Sequence, residues 1–127
     1  VGVAESIKAR CTAYSGLSAL VGTRVYPRIP ANPTFPLVTY TFVSTPANDY
    51  QDHDGTPDRW TYRVQFDAYA ETVSAARTIG DQLFAAFAGW ESGTAVGYSF
   101  VDNRFNSWEP GYEKERETVE VVIDHKV

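Results

Sequence analysis

The sequence predicts an α+β fold, a small mixed or antiparallel sheet of about four strands with two helices packed mainly on one face. Three observations carry this. Trp60–Tyr69 alternates without a break, the apolar residues between Glu71 and Phe87 recur at helical spacing, and further strand-like runs lie on both sides of that helix. The chain has 127 residues, the size of one domain, so residues 1–127 are expected to form a single unit around one core. Three Trp, eight Tyr and seven Phe supply the bulk for that core.

The elements follow in order. Val3, Ile7, Cys11 and Tyr14 fall on one stripe while Glu5, Lys8 and Arg10 occupy other faces, which predicts an amphipathic helix over 3–14. Gly16 interrupts it, and Leu17, Leu20 and Val21 form a short apolar turn closed by Gly22. In RVYPRIPANPTFP, Pro27, Pro30, Pro33 and Pro36 recur every third residue, a spacing that favours an extended arm without internal hydrogen bonds. Leu37–Ser44 alternates Val38, Tyr40 and Phe42 against Thr39 and Thr41, the pattern of a strand with one buried face.

TPANDYQDHDGTPD then breaks all periodicity with two prolines, a glycine and four aspartates, and reads as a long exposed loop. In the next strand Trp60, Tyr62, Val64, Phe66 and Ala68 share the core face, with Thr61, Arg63, Gln65 and Asp67 opposite. Val73, Ala76, Ile79, Leu83, Phe84 and Phe87 make the main helix, with Glu71 near its start and Gly89 placed to stop it. Gly80 sits inside that helix at an intrinsic cost of roughly 1 kcal/mol relative to alanine, which a close approach to the sheet would compensate. Ala95–Asn103 and Thr118–Asp124 read as two more strands, joined through SWEPGYEKE as a hairpin turn of moderate length.

Composition excludes several function classes. Sixteen acidic against eleven basic side chains give a net charge of −5, which argues against affinity built on phosphate neutralisation. A single cysteine, Cys11, makes neither an intramolecular disulfide nor a zinc site and is expected as a small buried hydrophobe, in keeping with a reducing cytoplasm. No stretch is long and apolar enough to span a bilayer. With no methionine anywhere, residue 1 need not be the natural start.

The acidic stretch at Asp49, Asp52, His53 and Asp54 lacks the spacing and the distal glutamate of a calcium loop, and His53 and His125 lie far apart with nothing to specify a dyad. Nucleophile elbows, phosphate-cradling glycine loops and paired-cysteine signatures are absent. No catalytic, cofactor-binding or metal-binding residues are therefore assigned. Four strands leave sheet edges that must be covered, charged or paired, and the arm and acidic loop are long for so small a domain. Both features suit a subunit that assembles with others as well as they suit a monomer with ordinary surface loops.

The run Leu17-x-x-Leu20-Val21-Gly22-Thr23-Arg24-Val25-Tyr26-Pro27, then Pro36-Leu37-Val38-Thr39-Tyr40, then Arg63-Val64-Gln65-Phe66-Asp67-Ala68-Tyr69-Ala70 before an Ala-rich helix, resembles the tail-completion (tail-terminator) proteins of long-tailed bacteriophages. The closing strand over 117–125 also fits, so the resemblance covers nearly the whole chain. It implies a non-enzymatic virion component, assembled in the host cytoplasm, that forms a ring, usually a hexamer, at the head-proximal end of the tail tube. Its partners would be further copies of itself, the tail tube protein and the head-tail connector protein, with no cofactor and no membrane. DNA would pass through without specific binding, which the acidic balance suits. The loop from Thr45 to Asp58, with Asp49, Tyr50, Asp52, His53, Asp54 and neighbouring Arg59, is the candidate contact with lumen, tube or connector. The alternatives are a head-side connector or other minor tail protein, or a soluble ligand-binding α+β domain recognisable by a concave apolar pocket.

Overall fold

The computed structural model describes residues 2–44, 59–91 and 96–126. In chain order these form α1 (Val3–Ala13), α2 (Ser15–Val21), β1 (Val25–Tyr26), β2 (Leu37–Ser44), β3 (Arg59–Ala70), α3 (Val73–Phe87), β4 (Val96–Glu109) and β5 (Lys114–Lys126). The strands make one sheet in the order β1-β2-β3-β5-β4. β1 runs parallel to β2, and the remaining neighbours are antiparallel. β3 and β4 therefore point the same way with α3 crossing between them, and β5 fills the gap they leave.

The α+β class holds, with three refinements among the described residues. Leu17, Leu20 and Val21 belong to a two-turn helix rather than a bare apolar turn, because Tyr14 is extended and lets a new helix start at Ser15. Gly22 ends it at φ 60°, a left-handed conformation that glycine adopts without a Cβ penalty. The arm contains a fifth, two-residue strand, with Val25 opposite Val38 and Tyr26 opposite Thr39. The β4–β5 connection shrinks to Pro110–Glu113, since both strands run further than their apolar alternation suggests.

All three helices lie on one face of the sheet. That face presents Val38 and Tyr40 from β2, Val64, Phe66 and Ala68 from β3, and Val119, Val121 and Ile123 from β5, all buried. Ile7, Cys11, Leu17, Val21, Ile79, Leu83 and Phe87 close over them. Phe66 stacks on Phe87 with ring centroids 4.7 Å apart, so the central strand and the main helix share one aromatic contact. Thr72 starts α3 by accepting the Ala75 amide proton on its hydroxyl at 3.1 Å. A Cβ on Gly80 would stand 2.6 Å from Cγ of Glu117, so the missing side chain is what lets α3 sit against β5.

Candidate functional site

The loop proposed from sequence falls largely outside the described residues: Asp49, Tyr50, Asp52, His53 and Asp54 all do, as do the side chains of Arg59 and Trp60. The main chain of Arg59 opens β3, paired with Lys126. What the structure does describe is the surface of the sheet turned away from the helices, together with its two edges.

At the centre of this outer face Thr39, Asp67 and Thr118 lie side by side on β2, β3 and β5, and all three are buried. Thr118 donates its hydroxyl proton to Asp67 at 2.7 Å, and the Gln65 amide donates to the same carboxylate at 3.1 Å. These bonds compensate for taking a carboxylate out of water. One step along, Leu37, Tyr69 and Arg116 form the adjoining row. Burial, and secondarily the Asp67 charge, pushes the Tyr69 hydroxyl pKa upward. The proline-rich arm ends here. Phe35 meets Tyr69 edge-on at 6.4 Å and Tyr112 at 5.9 Å, and the Lys114 ammonium stands 4.8 Å from the Phe35 ring centre. The arm is thus tied to the β4–β5 turn.

The outer face changes character at β4. Tyr98, Phe100 and Phe105 point outward from this edge strand and are 51 %, 43 % and 43 % exposed. Tyr98 and Phe100 lie 6.2 Å apart, and with Thr61, Val122 and Asp124 they line an open hollow of about 260 Å³. Near the other end of β4, Arg104 binds Glu117 at 2.6 Å, Asp81 at 2.8 Å and the Arg77 carbonyl at 2.9 Å, and Asn106 donates to Glu117 at 3.1 Å. Burial works against the Arg104 charge, but the bonds to Glu117 and Asp81 outweigh it and hold its pKa above the ordinary guanidinium value. This cluster neutralises the buried Glu117 and pins β4 to α3.

Among the described residues no group of three or more His, Cys, Asp or Glu is placed to hold a metal ion. Cys11 is buried, and its thiol pKa is pushed up to about 12, well away from the thiolate a nucleophile needs. His125 is buried beneath α1 with its Nε2 3.2 Å from the Ser6 hydroxyl. No described helix is long and apolar enough to cross a membrane. The exposed aromatic row on a long edge strand is what sequence reasoning missed. Its signal was Tyr98 and Phe100 alternating just ahead of Phe105 and Trp108; the bulge between Val96 and Tyr98 turns Val96 to the helix side and these rings outward, which local alternation does not show.

Such an edge strand offers backbone groups and aromatic rings with which another chain can pair. Over 99 % of its length the chain superposes with a TM-score of 0.72 and 16 % identity on 98 % of a chain from the virion of a native gene transfer agent particle, which shows a shared fold. No curated protein matches the sequence. The family model for tail completion protein gp17 matches residues 5–127, and the chain belongs to that family. It is a structural component of the tail of a phage-like virion.

Proposed function

We propose that this chain forms a ring, a hexamer in the form the resemblance implies, on the head-proximal end of the tail tube, where it stops tube polymerisation and offers the docking surface for the head connector. The observation that carries the reading is the match to the tail completion family over nearly the whole chain. The long edge strand with its exposed aromatics supports it, because such an edge favours pairing with another chain. A closed ring buries every such edge without leaving a free end. The net charge of −5 suits a passage through which DNA slides without adhering.

The acidic loop between β2 and β3, with Asp49, Tyr50, Asp52, His53, Asp54 and Arg59, is assigned in this reading to contact with the tube, the connector or the lumen. The test is electron microscopy of tails assembled without the protein. Tubes of uncontrolled length that fail to join heads are expected, and tails of normal length would overturn the proposal. Asp52→Ala with Asp54→Ala should leave folding intact and reduce head joining; undiminished joining removes the loop from the contact.

A further inference from the structure

The two edges of the sheet are unlike. β1 covers β2 only at Val38 and Thr39, so among the described residues no strand pairs with the outer side of β2 from Tyr40 to Ser44. At the other edge, no described strand pairs with the outer side of β4 along its 14 residues. Both edges carry exposed side chains that a neighbour would bury: Thr41 and Val43 on β2, Tyr98 and Phe100 on β4.

Direction separates them as well. The antiparallel pairings β2·β3, β3·β5 and β5·β4 leave β2 and β4 running in opposite directions. A second copy set beside the first in the same orientation therefore offers its β2 antiparallel to β4, the better-bonded arrangement.

We propose that the β4 edge of one copy pairs with the open β2 edge, residues 40–44, of the next copy, so that one sheet continues from subunit to subunit. The occupant is a second copy of this chain, because a ring needs two unlike surfaces that meet head to tail, and these two edges supply exposed groups and the favourable strand direction together. Two β4 edges meeting about a two-fold axis would instead close a dimer. The contact is heterologous, so it propagates around a ring. It rests on the ring reading above and names the surface that builds the ring.

The experiment uses two variants, each checked for an unchanged thermal midpoint. One carries Tyr98→Asp and Phe100→Asp, which damages the β4 edge. The other carries Thr41→Asp and Val43→Asp, which damages the β2 edge. Oligomeric state is measured by sedimentation in solution and by mass on purified tube ends. Each variant alone should assemble at least about tenfold more weakly than the unaltered chain. Mixed together they should give dimers that grow no further, since one intact β4 edge meets one intact β2 edge and both outer edges are damaged. Rings from either variant alone would overturn the assignment while leaving the ring itself standing. Dimers from the β2 variant alone would favour a β4–β4 contact and overturn it too. Variants that form rings but no longer bind tube ends would give the β4 edge to the tube protein. An unaltered chain that stays monomeric in solution and on tubes would overturn the ring reading and this contact together.

Discussion

The two faces of the sheet use the same five strands for different purposes. Under the helices, β3 and β5 present Val64, Phe66, Val119 and Val121, and α3 closes over them with Phe87. On the opposite face the same two strands present Asp67 and Thr118, buried but polar, and toward β4 the surface turns to aromatic rings in water. Stability from apolar burial is therefore concentrated on the helix side. The outer face is organised by hydrogen bonds at its centre and left unsatisfied at its margin, as suits a surface completed by something else.

The largest effect should come from the helix face. Phe66→Ala removes the ring stacked on Phe87 and should cost about 3–5 kcal/mol in urea denaturation. A loss below 1 kcal/mol would mean that the two faces do not differ as described. At the centre of the outer face, Thr118→Val keeps the shape but removes the proton donated to Asp67, and should cost about 1.5–3 kcal/mol. A neutral result would make that face merely a covered surface.

The third prediction concerns pH. The Cys11 thiol, on the inner face of α1, is held protonated by burial to about pH 12, against 9.0 for an ordinary thiol. The folded chain keeps this proton while the unfolded chain loses it, so stability is level below the unfolded pKa and falls above it. The slope from this one group should be about 1.4 kcal/mol per pH unit between the two values. Denaturation from pH 8.5 upward should show that slope in the difference between the unaltered chain and Cys11→Ala. The smallest effect belongs to the margin: Phe105→Ser should change stability by no more than about 0.5 kcal/mol, although it removes the same ring as Phe66→Ala. A large loss would show that the outward side of β4 is part of the core.

The strands that bury one apolar face were legible residue by residue. Val64, Phe66 and Ala68 lie where their alternation puts them, and the Ile79, Leu83 and Phe87 stripe faces the sheet. Arg104 and Asn106 hid the second half of β4. They point toward the helix side, where the pattern expects apolar groups, and stay there because Glu117 on the neighbouring strand accepts from both. That compensation depends on a residue 11 to 13 positions away and leaves no trace in local periodicity. β1 was hidden for a related reason, since two residues between prolines carry no alternation and pair only because β2 lies alongside. Of the candidate site, the sequence indicated an unmanaged edge, but which edge it was followed only from the strand order.

The position of β5 has a consequence for how the chain is made. It follows β4 in the sequence, yet it lies between β3 and β4, and among the described residues it is the sole strand partner of β4. A nascent chain that stops before Lys114 can close its helices over β2 and β3 but has nothing to hold β4 in the sheet. The aromatic edge is thus paired into the sheet only when translation has passed through β5. A chain cut short before Lys114 therefore lacks the paired edge strand that the proposed contact needs.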